Sequence, residues 1–202
     1  MDEKQTRKET FPDTVDRIIA ACDKQLKVGF TPEEEDYARD MMLQLKGIVA
    51  GRFLWQLGTR TVKDLGLASL QNCAATVVNE PIRPFTWAFD MLMLGSGVGY
   101  NIQKEYVYEL PKVRKARITR NDTKDADFIV PDSRGGWVKL LELVLHSHFV
   151  TGASFSYSTI CIRSKGASIK GFGGVASGPE ELCGGITEIS NILNGRAGKK
   201  LN

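Results

Sequence analysis

From Cys73 onward, short strand-like runs alternate with helical stretches, and this alternation restricts the fold more than any other feature. "CAATVV" (73–78) is a short strand bounded by "NEPIRP", and "FTWAFDMLMLGSG" (85–97) reads as a helix running into glycine. "VGYNIQKEYVYEL" (98–110) reads as extended, and residues 112–130 as irregular or strand-like, ending in "DFIVPD". Asp132 and Ser133 are placed to cap a long helix that stops at Gly152. "SFSYSTICIRS" (154–164) alternates like a strand, and a last helix runs from about Pro179 to Leu193. Strands joined through helices lie parallel, so the order predicts an α/β fold with a largely parallel sheet or barrel. Three to five strands are legible, and the chain stops just after a helix, at "GKKLN", as though a next strand should follow.

Two helices precede this alternation. Val15, Ile18, Ile19, Cys22 and Leu26 recur at helical spacing over 12–28, with Gly29 as the stop. Thr31 is a good N-cap, Pro32 takes the first helical position, and Glu33 to Glu35 complement the positive helix end. Met41, Met42, Leu45, Ile48 and Val49 are expected to line the apolar side of this second helix. Gly51 to Ser69 reads as loops and short turns. The organisation expected is a helical region over 1–50 followed by an α/β region over 51–202.

Of the 202 residues, 42% are hydrophobic and 25% charged, which suffices for a real core. The net charge of +3 is too small and too scattered for a nucleic-acid or membrane-surface protein. The basic stretch "KVRKARITR" (112–120) reads as a solvated loop or exposed strand rather than a phosphate patch. No apolar run reaches the ~18 residues of a membrane span, and "MDEKQTRKETFPD" is neither a signal nor a transit peptide. Cys22, Cys73, Cys161 and Cys183 make no local metal clip and no secreted disulfide framework, so a reducing cytoplasm is the expected compartment.

Few motifs carry chemistry on their own. "GSGVGYN" (95–101) follows a helix and precedes an extended segment, the reverse of a dinucleotide-binding loop, and lacks the Gly-Lys-Ser/Thr of a P-loop. It reads as a helix C-cap running into a strand or as a backbone made for close approach to a ligand. "KGFGGVASGPEEL" (170–182) puts small residues before a helix, with Ser177 and Gly178 placed to cap it, and could hold an anion or ribose hydroxyls. His146 and His148 stand at i, i+2 on different helix faces, so no shared metal site is expected. Cys22 reads as a buried small hydrophobe. Cys73 is either core filler or half of a functional pair.

Six motifs in order are more specific: "GRFLWQLGT" (51–59), "LQNCAAT" (70–76), "FDMLMLGSGVGYNI" (89–102), "VPDSRGGW" (130–137), "IKGFGGVASGPEEL" (169–182) and "ILNGRAGKKL" (192–201). The series resembles the N-terminal part of the catalytic chain of ribonucleotide reductase, class II, the adenosylcobalamin-dependent ribonucleoside-triphosphate reductases. The resemblance implies a helical N-terminal region plus the first half of a ten-stranded α/β barrel of the ribonucleotide reductase and glycyl-radical type. It implies that Cys73 is one of a redox pair that reduces the ribose, its partner lying on a C-terminal portion outside this chain. Thr59, Asn72, Gly95, Gly97, Val98, Gly99 and Tyr100 are implied near the ribonucleotide substrate. Pro81, Arg83, Phe85 and Asp90, with Asp132 and Arg134, are implied near a deoxynucleotide (dNTP) effector. Monomeric relatives carry a long insertion between the positions of Ile102 and Pro131, and here that stretch is short. Adenosylcobalamin would be bound mainly by segments outside the chain, no residue here is a metal ligand, and a thioredoxin-type reductant would be the redox partner. The chain alone is expected to be inactive, as half of a split enzyme, a truncation or a gene interrupted by an intervening element. The alternative is a non-catalytic nucleotide-binding remnant or regulator.

Overall fold

The computed structural model describes residues 8–169 and 174–201. The chain separates into two compact units, Met1–Asn72 and Cys73–Asn202.

The first unit is helical: α1 (Phe11–Leu26), α2 (Pro32–Leu43), α3 (Gly51–Gln56), α4 (Arg60–Leu65) and a 3-10 turn, Leu67–Leu70. Both long helices open with a reciprocal cap. Asp13 N–H donates to the Thr10 hydroxyl at 3.4 Å while Thr10 N–H donates to the Asp13 carboxylate at 2.8 Å. Thr31, the expected N-cap, and Glu34 repeat the pattern at 3.2 and 2.9 Å. Such a cap satisfies two otherwise orphaned donors, and losing its hydroxyl costs about 1 kcal/mol. Val15, Ile18 and Ile19 form the inward stripe of α1, packed with Met42, Leu57, Val62 and Leu70.

Three expectations fail here. α1 ends before Gly29, because Lys27 already turns left-handed (φ 55°) and Val28 N–H closes onto Cys22 O. α2 stops at Leu43, because Leu45 also turns left-handed (φ 56°) and the Lys46 and Gly47 N–H groups return to Met41 O. Leu45 and Ile48 therefore leave the apolar stripe and stand 71% and 56% exposed. The stretch 51–69 is helical rather than loop, and its six-residue helices are too short to show a period.

The second unit contains β1 (Cys73–Val77), α5 (Arg83–Met93), β2 (Gly97–Asn101), α6 (Lys104–Val107), β3 (Ile118–Arg120) and β4 (Phe128–Ile129). There follow α7 (Arg134–His146) with a π-turn at Ser147–Thr151, β5 (Phe155–Ser158) and α8 (Glu180–Gly195). The run 98–110 is extended only as far as Asn101 before the short α6. Every strand pair is parallel, as the alternation predicts. β1 and β2 form one sheet with α5 as the crossover, and the other has the order β3-β5-β4.

The second sheet sits in the core. Leu140, Leu141, Val144 and Leu145 of α7 pack with Val130, Tyr157 of β5, and Leu182 and Ile186 of α8. Ser133 caps α7 by accepting from Gly136 N–H at 3.1 Å. Gly136 admits no side chain, since a Cβ would lie 2.4 Å from Pro131 O. His148 is fully buried, its Nδ1 3.1 Å from Arg114 O and its Nε2 3.0 Å from Ser190 Oγ. A carbonyl only accepts, so Nδ1 carries the proton and Nε2 accepts from the Ser190 hydroxyl. The basic stretch 112–120 is clasped rather than free. Val113 and Gly198–Lys199 exchange backbone hydrogen bonds, and the Asn194 amide pairs with both backbone groups of Ala116.

Candidate functional site

Cys73 opens β1 and lies directly opposite Gly97 of β2. Residues in register on parallel strands share a face, so Cys73 and Gly97, Ala75 and Gly99, and Val77 and Asn101 stand on one side of the pair. Cys73, Ala75 and Val77 are exposed, while Ala74 and Thr76 are half-buried on the other side. The result is a shelf with a thiol at one end and almost no side chain beside it. Gly99 is not demanded by the chain itself. Its φ is not in the left-handed region, and an added Cβ would meet only Ala74 O at 3.9 Å. A glycine that neither torsion nor packing requires leaves backbone open to whatever lies on the shelf.

Of the implied substrate residues, those of the second unit stand in different relations to this shelf. Gly97 and Gly99 are on it, next to Cys73 and Ala75. Val98 and Tyr100 face the other way, the Tyr100 ring 6.1 Å from that of Phe85, and burial pushes the Tyr100 hydroxyl up from its usual range. Gly95 (φ +82°) makes the turn that leads from α5 into β2. Asn72 is exposed and immediately precedes the thiol. Thr59 belongs to the first unit, where its hydroxyl caps α4, accepting from Thr61 N–H at 3.2 Å and donating to Gln56 O at 2.7 Å.

The implied effector residues also separate. Arg83, Pro84 and Trp87 from the start of α5 join Thr76, Asn79 and Glu80 around a concavity of about 290 Å³ at the carboxyl end of β1. Pro81 leads into α5, and Phe85 packs against the core. Asp90 instead pairs with Arg134 at 3.2 Å, tying α5 to α7, and Asp132 pairs with Arg163 at 2.7 Å. These ion pairs are about one-third exposed, which limits each to roughly 0–1 kcal/mol. Glu80 and Trp87 were not singled out by motif; only the fold places them beside Arg83.

A second concavity, of about 580 Å³, runs along α8 from Glu180 to Ile192, over Tyr157 and Arg120. Arg120 is held by both Glu180 (2.9 Å) and Asp122 (2.7 Å), which raise it above its usual range. Burial, then a hydrogen bond with Cys183, raises the Tyr157 phenol. Ser177 does not cap α8. Its hydroxyl donates to Gly178 O, and α8 begins at Glu180 with Pro179 as an N-cap that makes no side-chain hydrogen bond, while Gly178 turns left-handed against Lys165. Lys170 to Gly173, the start of the second glycine loop, lie outside the described residues. Among the described residues no three metal-ligating side chains cluster, and no helix is long and apolar enough to cross a membrane.

Comparison with known proteins converges on one family. Residues 101–193 match the family model of the B12-dependent ribonucleotide reductase insertion domain. The segment read as a shortened stretch between Ile102 and Pro131 is thus part of a longer recognisable insertion domain that takes in β3, β4, α7, β5 and most of α8. A probable adenosylcobalamin-dependent ribonucleoside-triphosphate reductase of Dictyostelium discoideum is 36% identical over 84% of this chain and 24% of its own length. The adenosylcobalamin-dependent ribonucleoside-triphosphate reductase of Euglena gracilis is 29% identical over 96% of this chain and 28% of its own. The chain therefore spans less than a third of these curated relatives. A crystal structure of a B12-dependent (class II) ribonucleotide reductase shares the fold, with a TM-score of 0.77 over 100% of this chain and 36% of that one, at 24% identity. The insertion-domain match and the similarity that runs along most of the chain place it in the B12-dependent, class II ribonucleotide reductase family.

Proposed function

We propose that this chain supplies the first redox cysteine and part of the nucleotide-binding surface of a class II ribonucleoside-triphosphate reductase, completed by a C-terminal portion on another chain or segment. The observation that carries this reading is the shelf: Cys73 exposed beside Gly97, with Gly99 left bare by no need of the fold. Replacing the ribose C2′–OH by C2′–H takes two electrons. Two thiols deliver them, becoming one disulfide, while the hydroxyl leaves as water. Cys73 is one of those thiols, and the other belongs to the absent portion. A thioredoxin-type dithiol then re-reduces the pair.

Opening an unactivated ribose C–H bond takes a thiyl radical, and adenosylcobalamin supplies the radical when bound. As the family resemblance implies, the cofactor is assigned mainly to segments outside this chain. This chain's own residues bind and orient: the bare backbone at Gly97 and Gly99 lets the nucleoside lie against the strands. The concavity at Arg83 and Trp87 has the chemistry for a deoxynucleotide effector, a cation for phosphate and an aromatic face for the base. The site of action is the cytoplasm, where reduced thiols persist.

The test is reconstitution. The chain is mixed with a separately produced C-terminal portion of a relative, adenosylcobalamin, a ribonucleoside triphosphate and a dithiol, and deoxynucleotide formation is followed. Neither half alone should turn over, and the mixture should. Turnover by this chain alone, at homogeneity, would overturn the reading. So would full activity of a mixture carrying Cys73→Ser.

A further inference from the structure

Two basic runs that lie far apart in the sequence of the second unit are laid side by side by its fold. Lys112, Arg114, Lys115 and Arg117 stand on the stretch that leads into β3, and Arg196, Lys199 and Lys200 follow α8. Main chain and one amide join the runs. Gly198 N–H donates to Val113 O at 2.8 Å, Val113 N–H donates to Lys199 O at 2.9 Å, and the Asn194 amide brackets Ala116. Val113 and Ala116 are buried in this seam, while all seven cationic side chains are exposed. Over 108–117 and 194–201 the seven cations meet one acid, Glu109, so this corner is more positive than the whole chain with its net +3. Neither run alone marks such a surface; the pairing of the two does.

The fold does not use these charges. Arg17, Arg39, Arg60, Arg120, Arg134 and Arg163 each have a carboxylate at 3.2 Å or less. Among the described residues, none of the seven corner cations has an ion-pair partner. The corner is fastened by other groups: Arg114 N–H donates to His148 O, and Arg117 N–H donates to Ser154 Oγ at 2.9 Å. Like charges crowded together repel, and a polyanion relieves that repulsion. With those main-chain groups occupied, side chains are left to meet a partner, and contacts from such cations to phosphates carry no sequence information. Protein interfaces are depleted in lysine and built on apolar anchors. Here four of the seven cations are lysines, and Leu110, Val113 and Ala116 are all buried. One ring is available: Tyr108 is 44% exposed, and its carbonyl accepts from the Lys200 ammonium at the edge of the corner. Cations for phosphates beside a ring for a base are the parts of a surface for single strands.

We infer that this corner binds single-stranded nucleic acid through its phosphates, without sequence preference, with Tyr108 stacking on a base. The inference does not rest on the reductase reading, since it needs neither Cys73 nor turnover.

The experiment follows a fluorescent oligothymidylate of about 15 nucleotides by anisotropy, with the full 202-residue chain over a salt series. The parent should bind with a dissociation constant of about 1–100 μM near physiological salt, weakening as salt rises. Lys112→Gln with Lys115→Gln, and separately Arg196→Gln with Lys199→Gln, should each weaken binding. Each pair should also make the log–log salt slope shallower by about 1.4, at ~0.7 for each lost phosphate contact. Lys46→Gln with Lys124→Gln makes the same charge change elsewhere and should leave affinity within about twofold, as removal of no phosphate contact requires. Tyr108→Leu should cost at least about fivefold with the slope unchanged. An oligouridylate of the same length, run alongside, assigns the strand as RNA or DNA by the tighter of the two. Any of four results would overturn the inference: no binding by the parent, an equal loss in the Lys46 and Lys124 pair, full affinity in Tyr108→Leu, or a polyglutamate peptide held in preference to both oligonucleotides, which would mark an acidic protein as the partner.

Discussion

The two sheets of the second unit use parallel pairing for different ends. β1 and β2 present a face of Cys73, Ala75, Gly97 and Gly99, small and open to solvent. In β3-β5-β4 the central strand carries Tyr157, only 2% exposed, under the packed helices α7 and α8. Its edge connections are fastened by acids: Asp122 accepts from Thr159 N–H and hydroxyl, and Asp127 accepts from Ser156 N–H and hydroxyl. The insertion-domain match begins at Asn101, where β2 ends, so the bare sheet lies before that domain and the fastened sheet within it. Side chains that hold the second sheet together fill space; the face proposed to receive a nucleotide is left bare.

The sharpest way to break this contrast is at the thiol. Cys73→Ser should abolish turnover in the reconstituted assay, yet shift stability by no more than ~0.5 kcal/mol, as exposed substitutions do. A cooperative loss of fold would put Cys73 with the packed residues instead. Next in size, Leu140→Ala, at a position with no solvent exposure, should cost about 2–5 kcal/mol in urea unfolding. A cost under ~1 kcal/mol would mean that the second sheet is not the stable one. Gly99→Ala sharpens the comparison from the other side. A methyl fits there, so stability should rise by about 0.5–1 kcal/mol, while nucleotide affinity falls. Unchanged affinity would show the glycine to be incidental.

The smallest expected effect concerns acid. Burial works against the charge on Asp122, but the Thr159 N–H and hydroxyl and the Arg120 guanidinium outweigh it and lower the carboxyl. For Asp127 the Ser156 N–H and hydroxyl do the same. A carboxyl lowered in the folded state stabilises fully above its unfolded value, about 4, and that contribution is lost as pH falls through the lowered value. Thermal melts should therefore show the parent chain losing more stability below about pH 4 than an Asp122→Asn, Asp127→Asn double variant. Parallel pH curves would show that these carboxylates do not fasten the sheet.

Much of this was legible in the residues, for local reasons. Thr31 before α2, Ser133 before α7, and the β-branched run after Cys73 announce themselves because caps and strand patterns are short-range. The end of α2 was hidden, since Leu45 in the left-handed region breaks the usual preference for glycine. α3 and α4 were hidden by brevity. In the site, resemblance singled out Cys73, Gly97 and Gly99, but only strand register shows that they share one open face. The pairings of Asp90 with Arg134 and of Asp132 with Arg163 join residues far apart in sequence, and no spacing rule reveals them.

The strand order β3-β5-β4 also sets a timetable. The central strand is the last of the three to be made, so β3 and β4 emerge from the ribosome with no strand to pair with. Synthesis from Arg120 to Ser158 takes about 2–8 seconds at roughly 5–20 residues per second. Until then neither strand has its native partner, and Asp122 and Asp127 beside them keep charge on edges that would otherwise invite another chain. When Phe155 to Ser158 arrive, one strand completes both pairings; its Ser156 meets Asp127, and the next residue, Thr159, meets Asp122.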